Sequence, residues 1–139
     1  MRRTVVLLSL AALAACGCGS THQPLTPDQE KAHTLLQVGE MVRSYQISKN
    51  KPPDRFADLG SVRAVAGNGY EAVRTGEVVL LYGTPLSDTN EEPGQSKSDE
   101  VLAYQKQVPE SGGEVLMLDR SVRTMTADEF KAARKSGKG

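Results

Sequence analysis

A helical stripe bracketed by two stops constrains this chain more than any other feature. Thr26-Pro27-Asp28-Gln29 reads as a helix start. The threonine hydroxyl accepts a free N–H, the proline sits where its missing N–H costs nothing, and the glutamine closes a capping box. Asp28 and Glu30 lie in the first turn, where they complement the helix dipole. Leu35, Val38, Val42 and Tyr45 follow at 3-4-3 spacing and share one face, with Leu36 and Met41 expected to widen it. Pro52 and Pro53 end the helix near Lys49 to Lys51, because proline cannot continue the hydrogen-bond ladder. A helix with one apolar face needs a second layer to cover it.

The remainder of the chain offers strands for that layer. Phe56 and Leu59 in Pro53-Asp54-Arg55-Phe56-Ala57-Asp58-Leu59 read as a short turn folding back on the helix. Ser61 to Gly69 fits a strand or an irregular segment, and Tyr70 to Thr75 fits one or two helical turns capped by Gly76. Val78 to Tyr82, Val101 to Tyr104, Val115 to Leu118 and Val122 to Met125 are short apolar or β-branched runs and read as strands, the last two as a hairpin. Between the first two strands, residues 84–99 turn polar, with Pro85, Pro93 and Gly94, and read as a mobile loop. Pro109 to Gly113 reads as a turn. Thr126-Ala127-Asp128-Glu129 is a second capping box and opens a helix that places Phe130 and Ala133 inward. The expectation is an α+β fold. An N-terminal amphipathic helix packs on a small antiparallel sheet of three to four strands, followed by a short C-terminal helix. A single domain spans 26–135, with a disordered tail at 136–139.

The N-terminus carries a different signal. Arg2 and Arg3 precede an apolar run from Val5 to Ala15, interrupted only by Ser9. That run has the length of a secretory h-region and falls short of the roughly 20 residues a membrane span needs. It ends in Leu13-Ala14-Ala15-Cys16, which resembles the bacterial lipobox: an aliphatic residue, two small residues, then cysteine. The resemblance implies a signal peptide at 1–15, cleavage between Ala15 and Cys16, and a diacylglyceryl group on the Cys16 sulfur. Cys18 fits less well as the acceptor, because no aliphatic residue stands three positions before it. Residues 16–25 then form a flexible tether. Gly17, rather than Asp, follows the acceptor, and by resemblance to enterobacterial sorting this favours the periplasmic face of the outer membrane.

Both cysteines lie beside the cleavage site, which leaves no disulfide for the domain. After cleavage the chain keeps 15 basic and 17 acidic residues, a balance that speaks against a nucleic-acid partner. With no Trp and only six aromatic residues, the core must be small and mainly aliphatic.

Two stretches carry a further resemblance. Leu35, Val38, Val42 and Tyr45, then Lys51-Pro52-Pro53 and Phe56-Ala57-Asp58-Leu59, resemble the exposed half of the long helix of type IV pilin-like proteins and type II secretion pseudopilins. Gly112 to Arg123 resembles their closing hairpin. Arg120 departs from the pattern: a primed hairpin turn there favours glycine, because the backbone needs positive φ. The prepilin cleavage motif and the membrane-spanning half-helix are replaced by the lipobox. The resemblance therefore implies a pilin-headgroup-like fold without filament assembly. It also implies a weak calcium candidate, because pseudopilins can bind calcium in an equivalent loop. Here Asp88, Asn90, Glu91, Glu92 and Asp99 supply oxygen ligands. Their spacing matches no EF-hand, and a solvated loop is the preferred reading.

Other chemistry is sparse. His22 and His33 have no partners at zinc spacing. Ser61, Ser111 and Ser121 lack a nucleophile elbow, and Gly67-Asn68-Gly69 and Gly112-Gly113 read as turns. Lys131, Arg134, Lys135 and Lys138 can meet anionic lipid or simply end a helix in water. No cofactor, catalytic residue or small-molecule substrate is identified. The expectation is a lipid-anchored, non-catalytic interaction or structural module of the cell envelope. It contacts the membrane through its anchor, and an envelope protein is its candidate partner. The alternative is an accessory subunit of a secretion or pilus-like system docking through its sheet, with an envelope enzyme third. Val78, Val79, Leu80, Leu81 and Tyr82 are the candidate interaction strand, by strand addition at an exposed edge.

Overall fold

The computed structural model describes residues 24–139. The expected signal peptide, Ala15, Cys16, Cys18 and His22 lie outside the described residues.

Helix α1, Pro27–Lys49, forms as its sequence predicts. The Thr26 hydroxyl accepts the Gln29 N–H at 3.4 Å, and the Gln29 side chain accepts the Thr26 N–H at 2.9 Å. Asn50 closes the helix in the left-handed region, with φ 55°. Leu35, Val38, Met41, Val42 and Tyr45 are buried together with Gly39. Leu36, expected to widen the stripe, is instead 39% exposed. Each residue turns by about 100° in an α-helix, and this step carries Leu36 away from the face that Leu35 shares with Val38 and Val42.

A 3-10 helix, Phe56–Val65, buries Leu59 and Val62 against α1. Short helix α2, Gly69–Arg74, follows. The Gln37 side-chain oxygen accepts the N–H groups of Asn68 and Gly69. A Cβ on Gly69 would stand 2.9 Å from the Val38 nitrogen, so glycine lets α2 touch the α1 backbone. Gly76 ends the unit at φ 76°. The ambiguous 61–69 segment is thus helical and turn-like, with no strand.

Strands β1 (Val78–Leu80), β2 (Glu100–Gln105), β3 (Gly113–Met117) and β4 (Val122–Met125) form an antiparallel sheet in that spatial order. The expected 109–113 turn contains a short helix, α3, Val108–Ser111, before Gly112 at φ 73° and Gly113 at φ 144°. Helix α4, Ala127–Ala132, is capped by Thr126 and Glu129 as predicted, but it stops short of Lys135. Ala133 turns extended, and β5, Arg134–Lys135, pairs parallel with Glu100 and Val101 of β2. The tail expected to be disordered continues this path. Ser136 is buried, and Lys138 bridges to Tyr82.

The sheet is covered on both faces. One apolar cluster joins α1, the 3-10 helix and α2 to Leu80, Leu102, Ala103, Leu116 and Leu118. The other holds Val101, Val108, Val115, Met117 and Phe130.

Candidate functional site

The strongest polar constellation centres on the turn between β3 and β4. Arg120 has φ 64°, the positive value predicted for a position where glycine is usual. Its side chain is 1% exposed. It passes over α1 at Gly39, where an added Cβ would lie in ordinary contact, 3.5 Å from the Arg120 Cβ. Arg120 Nε donates to the Asp88 carbonyl at 3.1 Å, Nη2 donates to the Asn90 carbonyl, and Nη1 donates to the Glu40 carboxylate. Glu40 also pairs with Arg43 at 3.4 Å, and Arg43 Nε donates to the Thr89 carbonyl at 2.8 Å. Three successive loop carbonyls therefore face two arginines.

The 84–99 segment has no helix or strand, as expected, yet it is tied at many points. Leu86 is buried, and its N–H donates to the Gln46 side chain at 2.8 Å. The Ser87 N–H donates to the Leu118 carbonyl, and the Gly94 N–H donates to that of Asp119. Asp88 is 1% exposed, and its carboxylate accepts the N–H groups of Asn90 at 2.9 Å, Gln95 at 2.5 Å and Ser96 at 3.0 Å. These backbone donors, that of Asn90 first, hold its carboxyl below the usual carboxylate range. Asp119, also buried, accepts the N–H groups of Ser98 and Ser121 and the Ser121 hydroxyl at 2.6 Å.

This arrangement does not bring the calcium candidates together. Both Asp88 oxygens are bonded to backbone, and the Asn90 carbonyl is bonded to Arg120. Asp99 is 82% exposed and pairs with Arg123 at 3.2 Å, while Glu91 and Glu92 face solvent. Among the described residues, no group of three or more His, Cys, Asp or Glu side chains is placed to hold a metal. The Arg120 guanidinium lies against the Asp88 and Asn90 carbonyls of this loop.

The candidate interaction strand is an edge strand with little exposed side chain. Val78, Leu80 and Leu81 are buried, whereas Val79 and Tyr82 are half-buried. Burial raises the Tyr82 phenol to about 12, and the Asp58 charge adds to the shift. The remaining candidates are scattered. His33 contacts Gln37 at the surface. Ser61 and Ser111 donate to nearby carbonyls. Lys131 faces Asp128 at 3.8 Å. Lys135 folds over the Phe130 ring at 4.1 Å and donates to the carbonyls of Phe130 and Ala133. Shallow clefts flank the fold among the described residues. A groove of 420 Å³ has Glu30, Thr34, Asn68, Glu71, Glu77 and Gln105 among its walls. A cleft of 680 Å³ has Asp54, Arg55, Phe56, Tyr82, Thr84 and Lys138 among its walls.

The Arg120–Glu40 contact was not among the candidate residues. Its one sequence signal was an arginine at a turn position that favours glycine. Among the described residues, no helix is long and apolar enough to cross a membrane. No family profile, curated protein or solved structure matches this chain.

Proposed function

We propose that this chain is a lipid-anchored protein of the bacterial cell envelope whose domain acts as a non-catalytic interaction or structural module. The observation that carries the reading is the order of features along the chain. Arg2-Arg3, the apolar run and Leu13-Ala14-Ala15-Cys16 come first, a polar stretch follows, and a capped helix then opens a single α+β domain at Pro27. Lipidation at Cys16 attaches two or three acyl chains, enough for stable anchoring where one chain is marginal. The favoured address is the periplasmic face of the outer membrane.

A second reading is an accessory subunit of a secretion or pilus-like system. It is favoured by the long N-terminal helix laid on an antiparallel sheet that ends in a hairpin, the arrangement the pilin resemblance implies. Docking would then use an edge or a helix surface, since both sheet faces are covered within the chain. An envelope enzyme is the third reading.

Intact mass spectrometry of the native protein from membranes tests the anchor. The expected mass is that of residues 16–139 plus a diacylglyceryl group and an N-acyl chain, with Cys16→Ser lost from the membrane fraction and Cys18→Ser retained. An unmodified chain that starts at Met1 overturns the reading. Proteins captured in the same detergent extract separate the first two readings, since secretion components would favour the accessory subunit.

A further inference from the structure

The segment after α4 is held in an unusual way. Arg134 and Lys135 pair with Glu100 and Val101 of β2, yet both are exposed. The Ser136 N–H donates to the Val101 carbonyl at 2.9 Å. Two residues on, the Tyr82 N–H donates to Lys138 at 2.8 Å, and the Lys138 N–H donates back at 3.1 Å. Side chains add little to this attachment. The Lys135 ammonium bonds carbonyls at the end of α4, not groups of the seat. The Ser136 hydroxyl is buried without a partner, which costs free energy. The strap is thus held mainly by backbone hydrogen bonds worth about 1 kcal/mol each, and it has one tight steric requirement. A Cβ on Gly137 would lie 2.1 Å from the Tyr82 carbonyl oxygen and 2.9 Å from its carbon, so only glycine fits there.

We infer that the backbone of Val101 and Tyr82 forms a strand-acceptor seat, filled within one chain by residues 134–138 and able to take the same segment from a second copy. Exchange of identical elements between copies needs a hinge and an element whose contacts can be remade unchanged. The strap would have to part from the domain at Ala133, where the chain leaves α4 in extended geometry at φ −67° and ψ 144°. Gly137 supplies the complementarity, since the occupant must place a glycine against Tyr82, and the chain's own segment does so.

The test uses the full chain in detergent and a labelled peptide of residues 133–139, followed by fluorescence anisotropy. Gly137→Ala in the chain expels its own strap, and the peptide is expected to bind that variant at least tenfold more tightly than the parent. The peptide carrying Gly137→Ala should bind neither. Equal binding of the two peptides, or equal binding to variant and parent, overturns the proposal. A scrambled peptide that keeps the glycine and binds as well would assign the seat to other partners and overturn the second-copy reading. If circular dichroism shows the variant unfolded, hydrogen exchange on the parent decides. The Tyr82 and Lys138 amides should exchange at least tenfold faster than that of Leu116, and exchange of all three at one common rate rejects a strap that leaves its seat.

Discussion

The guanidinium of Arg120 rests on the carboxylate of Glu40, eighty residues away in sequence, and joins the β3–β4 turn to the middle of α1. The same group binds two carbonyls of the 84–99 loop. One side chain therefore holds three parts of the fold that share no strand pairing.

Arg120→Ala should destabilise the domain by ~3 kcal/mol, because it strips buried partners and keeps a backbone conformation that costs a non-glycine residue free energy. Arg120→Gly loses the same bonds but relieves the positive φ, and should recover roughly 1 kcal/mol of that loss. Glu40→Gln should cost about 1 kcal/mol or less, since the carboxylate is 45% exposed and screened by water. Urea unfolding orders the three variants. An Arg120→Ala midpoint equal to that of the parent would remove the clasp from the account.

Two glycines near α1 should answer to alanine with opposite sign. At Gly39 the new methyl meets Arg120 and Leu116 at 3.5–3.6 Å, an ordinary contact. Helix propensity then dominates, and Gly39→Ala should stabilise by up to about 1 kcal/mol. At Gly69 the methyl strikes the backbone of Gln37 and Val38 at 2.9–3.0 Å, and the variant should lose stability. Thermal unfolding of the pair checks the sign.

Acid should unfold this domain partly through Asp88. Its carboxyl is depressed in the fold. Its contribution is therefore complete above the unfolded value of about 4 and is lost as pH falls through the folded one. The melting temperature should drop below roughly pH 4, and Asp88→Asn should flatten that drop while lowering stability at neutral pH. Asp58 and Glu129 are depressed as well, so some slope should persist. An unchanged slope in Asp88→Asn would contradict the bonding described.

Tyr82 should be visible at the alkaline end. A spectrophotometric titration is expected to show a phenol ionising at about 12, and Tyr82→Phe should remove that step. Because the folded value lies above the unfolded one near 10, this contribution is intact below about pH 10 and disappears as pH rises towards the folded value.

Calcium should leave the melting temperature unchanged, because the buried loop carboxylate already accepts three N–H groups. A rise that chelation reverses would show that the loop opens to bind it.

The elements that the sequence disclosed are those whose signals are local. The two capping boxes, the prolines after α1 and the apolar runs of β2, β3 and β4 each act within a few residues, and each element appears close to its expected bounds. What stayed hidden depends on distant partners. The 84–99 loop looked mobile and solvated because its composition is polar; most of its side chains do face solvent, while backbone groups of Leu86, Asp88 and Thr89 bond to α1 and the β3–β4 turn. The tail at 136–139 looked disordered because it is short and polar, but it is held by backbone bonds to Val101 and Tyr82. Arg120 was noticed as a misfit in a turn. Its role required knowing that Gly39 and Glu40 stand opposite.

A sheet with hydrocarbon on both faces lacks one common safeguard. Where one face is wet, threading a strand one residue off turns greasy side chains towards water and is rejected at once. Here Val115 and Met117 enter one core while Leu116 and Leu118 enter the other, so a misthreaded β3 would still bury oil on both sides. Rejection of that error falls to the polar turn. The native threading brings Arg120 over Gly39 and Asp119 to Ser98, and a hairpin shifted by one residue would forfeit both contacts.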